Sequence, residues 1–118
     1  MASKTVRPKV TTGSTIRKVT GCGKLYVTVN RDNNGRNPIE VLARLGKAGG
    51  CTHCQNEALT RAITMGLKYG APAQEFVDEL IGLQCPSPSM WPEAERTLSC
   101  PDAIAQALKE CMNEDNKV

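Results

Sequence analysis

Residues 24–30 read Lys-Leu-Tyr-Val-Thr-Val-Asn, and this stretch decides the fold class. Its three aliphatic residues alternate with a lysine, a tyrosine and a threonine, which is the two-residue period of a half-buried β-strand. Residues 39–45 alternate in the same way, and a weaker alternation around residues 16–19 precedes the first stretch. Residues 21–23 and 31–37 are rich in glycine or asparagine, which is typical of turns. The pattern predicts three strands joined as an antiparallel meander.

The second half of the chain has apolar residues at helical spacing instead. Residues 52–69 predict one amphipathic helix, and a second helix begins at Pro72 and ends at Gly82. A last helix is predicted over residues 100–112, where a proline at the first helical turn favours initiation. The second helix is expected to turn four apolar side chains inward: Phe76, Val77, Leu80 and Ile81.

Together these elements predict an α+β protein, in which a small antiparallel sheet of about three strands packs against two to three helices. We expect residues 1–13 to be a flexible arm, residues 14–112 to be the folded domain and residues 113–118 to be a charged tail. No apolar run reaches the roughly 20 residues that a membrane-spanning helix needs, and the N-terminus does not resemble a secretory signal. The chain is therefore expected to be cytoplasmic, with no membrane partner.

Composition sets two further limits on function. Hydrophobic residues make up 40% of the 118 residues and aromatic residues only 3%, so one modest, mostly aliphatic core is expected. The formal net charge is +3, without a dense basic stripe or interleaved aromatic residues along the sequence. This distribution argues against a nucleic-acid-binding function.

Six cysteines are the strongest compositional signal in the chain. In a reducing compartment cysteines persist as thiols, metal ligands or redox groups rather than as structural disulfides. Four of them lie where the backbone is expected to turn, beside glycines, before prolines or at helix starts: Cys22, Cys51, Cys85 and Cys100. Backbone N–H groups at such positions stabilise thiolates, and four converging thiolates would form a closed, structural zinc site.

Other interpretations of the cysteines remain open. Cys51 and Cys54 form a Cys-x-x-Cys pair, which suits either half of a zinc site or a redox dithiol, so Cys54 competes with Cys22 as a ligand. Several cysteines could instead be small buried hydrophobic residues, which is the preferred interpretation of Cys111 on the apolar stripe of the last helix. His53, the single histidine, is expected to be an ordinary surface residue.

A glycine-rich connection offers a second candidate site. Residues 45–50 read Leu-Gly-Lys-Ala-Gly-Gly and join the third strand to the first helix. Consecutive N–H groups at a helix start can form an anion-binding nest, here with Lys47, Gly49 and Gly50. The alternative is that the glycines only permit the tight turn that places Cys51.

Four ordered motifs resemble a known family. They are Gly-Cys-Gly-Lys-Leu-Tyr-Val at residues 21–27, Leu-Gly-Lys-Ala-Gly-Gly-Cys at 45–51, Gly-Leu-Gln-Cys-Pro at 82–86 and Ser-Cys-Pro-Asp at 99–102. In this order they resemble the TSCPD domain, which usually lies near the C-terminal end of adenosylcobalamin-dependent ribonucleotide reductases. The sequence departs from the family pattern in two places, because Leu98 displaces the threonine of the closing motif and Cys54 is an additional cysteine.

The resemblance implies a site and a biological context. The family's recurrent cysteines match Cys22, Cys51, Cys85 and Cys100, for which it implies a metal-binding role, and this favours Cys22 over Cys54. It implies ribonucleotide reduction as the context, although a chain of 118 residues cannot hold the reductase catalytic barrel. We therefore expect a non-catalytic accessory of ribonucleotide reduction, with a cysteine-ligated zinc ion and a reductase large subunit as partner. The alternatives are a free-standing binder of nucleotides or small anions, for which homo-oligomerisation stays open, and a thiol–disulfide carrier that uses Cys51 and Cys54.

Overall fold

The computed structural model describes residues 3–32, 35, 37–46 and 50–115, with side chains described as far as residue 113. Three strands are followed by three helices, and the predicted α+β class is confirmed. A short 3-10 turn, Glu93–Glu95, precedes the last helix. The elements in chain order are β1 (Thr12–Thr20), β2 (Gly23–Arg31), β3 (Pro38–Leu45), α1 (Gly50–Lys68), α2 (Ala73–Leu80) and α3 (Cys100–Asp115).

Some sequence predictions fall outside the described residues. Lys47 and Gly49 of the predicted anion nest lie there, as do residues 33, 34 and 36 of the predicted turn and residues 116–118 of the predicted tail. None of the helices in the described part of the chain is both long enough and apolar enough to span a membrane.

The sheet is an antiparallel meander in the order β1-β2-β3, as predicted. Leu25, Val27 and Val29 of β2 are fully buried, because one face of the central strand lies against the helices. The register pairs Val27 with Ile16 of β1 and with Ala43 of β3, so the apolar positions of all three strands share that face. The alternation in the sequence therefore specifies which face of the sheet enters the core.

Helix α1 lies along the free edge of β3. The Thr64 hydroxyl accepts a hydrogen bond from the Val41 N–H at 3.0 Å and donates one to the Val41 carbonyl at 3.1 Å. One side chain thus satisfies both backbone groups of Val41, an edge-strand residue whose only neighbouring strand in the sheet is β2, where it pairs with Val29. Because α1 lies at the edge of the sheet, its side chains can reach spaces on both sides of the sheet.

Helix α3 closes the core on the buried face of the sheet. Its inward side chains are almost completely buried, namely Ala103, Ile104, Ala107, Leu108 and Cys111. Burial of Cys111 agrees with its interpretation as a small hydrophobic residue. Lys18 of β1 reaches Glu110 of α3 at 2.7 Å at the margin of this interface.

The second helix differs from its prediction in one residue. Val77 is buried and Phe76 and Leu80 are partly buried, but Ile81 is 40% exposed. Helix α2 ends at Leu80, and Ile81 has an extended backbone with φ −63° and ψ 134°. The helical period that would have turned Ile81 inward has therefore already stopped.

The described part of the N-terminal segment contacts the domain through Thr5 and Arg7. The Thr5 N–H donates to the Lys68 carbonyl at 2.7 Å, and Arg7 forms an ion pair with Glu40 of β3 at 2.9 Å. Partial burial alone would raise the pKa of Glu40, but hydrogen bonds from Arg7 and Asn30 hold it below its ordinary value.

Candidate functional site

The four predicted cysteines line one cavity of about 540 Å³, here called the thiol cavity. It lies where four parts of the chain meet: the turn between β1 and β2, the start of α1, the loop of residues 84–98 and the start of α3. Each part contributes one cysteine to the lining, in chain order Cys22, Cys51, Cys85 and Cys100. These four cysteines are free thiols.

Thr20 organises the turn that carries Cys22. Its hydroxyl accepts a hydrogen bond from the Cys22 N–H at 3.2 Å and donates one to the Gly23 carbonyl at 2.7 Å. The side chain is buried, with 5% of its surface exposed. Because the hydroxyl holds both sides of the turn, the exposed Cys22 is presented from a fixed backbone, and its thiol lies 3.9 Å from Thr52 Oγ1 of α1.

The Cys85 loop touches this turn directly. A Cβ atom placed on Gly21 would lie 1.6 Å from the Ser87 carbonyl oxygen, so only glycine permits the two backbones to approach this closely. The Ser87 N–H in turn donates to the Cys85 sulfur at 3.4 Å. The loop is held from its other side by the Cys85 N–H, which donates to the Leu98 carbonyl at 3.0 Å. These contacts place the Cys85 loop beside Cys22.

Cys100 is the deepest of the four thiols. It is 7% exposed, and its thiol lies 3.8 Å from Thr20 Oγ1, so Thr20 contacts both Cys22 and Cys100. Burial raises the pKa of the Cys100 thiol, and the proximity of Cys22 raises it further, whereas the neighbouring Asn56 side chain and the Thr20 hydroxyl lower it. A nearby cation would favour the thiolate of Cys100 against this burial.

The residues around Cys100 build a rigid helix start. Ser99 caps α3, because its hydroxyl accepts the Asp102 N–H at 3.0 Å. The buried Asp102 carboxylate accepts three hydrogen bonds at 2.8 Å, from the N–H groups of Gly82 and Leu98 and from the Gln106 side chain. Asp102 thus ties α3 both to the end of α2 and to the loop that carries Cys85.

Helix α1 separates the thiol cavity from a second cleft on the other side of the sheet. Cys51 lies at the thiol cavity with four other α1 residues, namely Thr52, Gln55, Asn56 and Leu59. His53 lies at the second cleft, and its Nδ1 is buried without a hydrogen-bond partner in the described part of the chain, unlike the ordinary surface residue that was expected. Cys54 is exposed and lines neither space. The structure therefore brings Cys22, and not Cys54, to the cavity of the other three cysteines.

Asn56 and Thr20 are site residues that the sequence analysis missed. Asn56 is 4% exposed, and its Nδ2 has no hydrogen-bond acceptor among the described residues. It occupies the buried stripe of α1 together with Thr60, Ile63 and Leu67. A polar residue within an apolar stripe was the available signal, because a buried amide needs a partner.

The donor set suits a zinc ion, although the sulfurs do not converge in the structure. In residues 3–32, 35, 37–46 and 50–115, no group of three or more histidine, cysteine, aspartate or glutamate side chains is placed so that it could hold a metal ion. A cysteine has one side-chain torsion with three staggered wells, and moving between them displaces the sulfur by roughly 3 Å. Cys22 and Cys51 are exposed and free to turn in this way. The unpartnered Asn56 amide is also suited to donate to a thiolate at Cys100.

The predicted anion nest is only partly described. Gly50 begins α1 with a φ of 27°, a left-handed conformation that favours glycine. This agrees with a tight turn before Cys51, and it leaves the anion-binding role of the nest a prediction.

In a comparison with protein-family models, the TSCPD domain model matches residues 1–112 of the chain. The chain belongs to the TSCPD domain family. Neither the comparison with curated proteins nor that with solved structures gave a match.

The closing motif of the TSCPD domain has a structural explanation in this chain. Thr97 is completely buried and its hydroxyl donates to the Val19 carbonyl at 2.7 Å, which joins the motif to β1. Ser99 and Asp102 build the start of α3, and Cys100 faces the thiol cavity between them. Leu98, the residue that separates Thr97 from Ser99, donates its N–H to Asp102. The displaced threonine therefore still takes part in the motif's hydrogen bonds.

Proposed function

We propose that this TSCPD domain is a non-catalytic accessory module of ribonucleotide reduction in which Cys22, Cys51, Cys85 and Cys100 bind one structural zinc ion. The observation that carries the proposal is the single cavity that these four thiols line. Four thiolates form the ligand set of a closed structural zinc site, with no open position for a substrate. When bound, zinc supplies the positive charge that stabilises the thiolates together.

The proposed site would fix a part of the chain that has little regular structure of its own. The loop of residues 84–98 contains only a 3-10 turn and one isolated bridge between Ser89 and Thr97. A ligand at Cys85 would fix this loop to the sheet and to both helix starts, so the free energy of metal binding would become folding free energy. The neighbouring residues prepare the ligands, because Ser87 donates to the Cys85 sulfur and Asn56 offers an amide to Cys100.

The link to ribonucleotide reduction rests on family membership. The proposed partner is a reductase large subunit in the same reducing cytoplasm, and the module itself would perform no chemistry on a nucleotide. We expect the immobilised domain to retain this large subunit from a purified mixture. We also expect the domain alone to turn over no ribonucleotide. Failure of binding would contradict the accessory role while leaving the zinc site to its own test.

Zinc uptake tests the site directly. The reduced apoprotein should take up about one equivalent of Zn²⁺ in competition with a chromophoric chelator. Cys22→Ser should weaken uptake by at least tenfold, whereas Cys54→Ser is a matched control that removes an exposed thiol outside the cavity. If Cys54→Ser loses the metal while Cys22→Ser keeps it, the Cys51–Cys54 chelate is the true site.

The thiol–disulfide carrier remains the alternative with a structural observation in its favour. Cys51 and Cys54 are both exposed in the first turn of α1. A carrier would form a reversible disulfide between them with a measurable reduction potential and would bind no zinc when reduced. Absence of zinc uptake by folded, reduced protein, together with such a disulfide, would replace the zinc proposal with this one.

A further inference from the structure

The face of the sheet opposite the core is an open surface with its own chemistry. The side chains on this outer face come from the alternate positions of each strand, and Tyr26 at its centre is 38% exposed. The outer cleft, which is the second cleft beside α1, has a volume of about 670 Å³ and borders this face. Its lining includes Tyr26, Arg44 and His53. This volume lies within the range of about 300–1,000 Å³ that is typical of ligand sites.

Strand register creates a row of three side chains across the outer face. Arg17 of β1 pairs with Tyr26 of β2, and Tyr26 pairs with Arg44 of β3. Directly paired residues on one face have neighbouring side chains, so two guanidinium groups flank one phenol ring. We call these three residues the Arg–Tyr–Arg row.

The cations of the row are free to bind a ligand. Arg17 and Arg44 are both exposed, and neither has an ion-pair partner within the part of the chain that the structure describes. Lys24, one row further along β2, is exposed and has no described partner either.

The acids near this surface are already paired. Glu57 at the outer cleft forms an ion pair with Arg61 at 2.7 Å. Glu40 on β3 is bound by Arg7 and Asn30. The row therefore keeps an uncompensated positive charge around an exposed ring.

We propose that the outer sheet face binds single-stranded nucleic acid at the Arg–Tyr–Arg row. Each base has a π-face that stacks on an aromatic ring, while the flanking phosphates pair with guanidinium groups. Sheet faces with exposed aromatic residues are a common platform for unpaired bases. A broad three-stranded face does not enter a duplex groove, which admits a helix or a two-stranded ribbon. An acidic peptide would use the two arginines but would leave the ring without a function.

Fluorescence anisotropy with a labelled oligothymidylate tests the proposal on the full chain. Binding is expected at low salt and should weaken as salt rises, because phosphate contacts release counterions. The double substitution Arg17→Ala with Arg44→Ala should weaken binding at least tenfold and reduce the salt slope by about two. Tyr26→Ala should weaken it by about tenfold without changing the slope, through loss of stacking.

The matched control removes the same charge elsewhere. Arg96→Ala with Lys109→Ala deletes two exposed cations away from the outer face and should leave binding within about twofold. Equal weakening by the control pair, or no binding of the wild-type chain at low salt, would overturn the proposal. A second result would also overturn the proposal: Tyr26→Ala binds the oligonucleotide as tightly as the wild type, and heparin competes as well as unlabelled oligothymidylate. Together these would show a cationic patch that does not contact bases.

Discussion

Replacement of Gly21 by alanine is the sharpest test of the contact that brings Cys22 and Cys85 together. The new methyl group would lie 1.6 Å from the Ser87 carbonyl oxygen and 2.7 Å from its carbonyl carbon. Because ordinary contacts of this kind are no shorter than about 3 Å, the Cys85 loop must retreat by more than about 1 Å. Gly21 has no positive φ, so the backbone itself accepts alanine and the effect is steric. Overpacking of this kind costs about 1–3 kcal/mol of unfolding free energy.

Urea denaturation and zinc titration of the same samples measure the two consequences. We expect Gly21→Ala to lose about 2 kcal/mol of stability and to weaken zinc uptake at least tenfold. Gly13→Ala is the matched control, since its methyl would lie 2.1 Å from the Val29 carbonyl oxygen at the far end of β1. It should lose stability yet keep the metal. The methyl group of Gly46→Ala would meet only ordinary contacts, at 3.5 Å and beyond. This variant should keep both the stability and the zinc uptake of the wild type. Stability and zinc uptake of Gly21→Ala equal to wild type would refute the geometry.

Three further substitutions test the connections that frame the site. Asp102→Ala should cost about 3 kcal/mol in urea denaturation, because it leaves two backbone N–H groups without an acceptor; a loss below about 1 kcal/mol would contradict this. Thr64→Val should cost about 1–3 kcal/mol by removing both hydrogen bonds to Val41, and unchanged amide-exchange protection of β3 would contradict it. Arg7→Ala should raise the pKa of Glu40 toward its ordinary value of 4.5 and lower stability at neutral pH by about 0.5 kcal/mol. Since the native pKa of Glu40 is depressed, the stabilisation by Arg7 exists above pH 4.5 and disappears as the pH falls through the native pKa. If the Glu40 carboxyl of Arg7→Ala titrated by NMR as it does in the wild type, the assignment would be contradicted.

The fold was predictable because each local pattern agrees with the final packing. The alternation in residues 24–30 identifies the buried face of β2, and the helical stripes identify α1 and α3. Their ends were less predictable, as Ile81 shows, because a single residue decides whether the helical period continues.

The common location of Cys22, Cys51, Cys85 and Cys100 was foreseeable only in part. Glycine turns and helix starts are visible in the sequence, and family resemblance favoured Cys22. The contacts that assemble the cavity are not visible in the sequence. Gly21 and Ser87 are far apart in the chain, and nothing in the sequence around Thr20 indicates that its hydroxyl holds the Cys22 turn.

Strand register accounts for what the sequence analysis missed on the outer face. The expectation against nucleic-acid binding rested on the absence of a basic stripe along the chain. Arg17, Tyr26 and Arg44 are separated by 9 and 18 residues, and only the pairing of three strands makes them neighbours. A linear pattern cannot show such a row unless the register is known in advance.

X-ray absorption at the zinc edge tests the central claim most directly, since it counts the sulfur ligands of the bound metal. The zinc-loaded protein should show four sulfur atoms at about 2.3 Å. Cys54→Ser should give the same spectrum, because Cys54 lies outside the thiol cavity, whereas Cys22→Ser should replace one sulfur with oxygen or nitrogen. A shell with two sulfurs, or a four-sulfur shell that Cys54→Ser disrupts and Cys22→Ser leaves intact, would contradict the account.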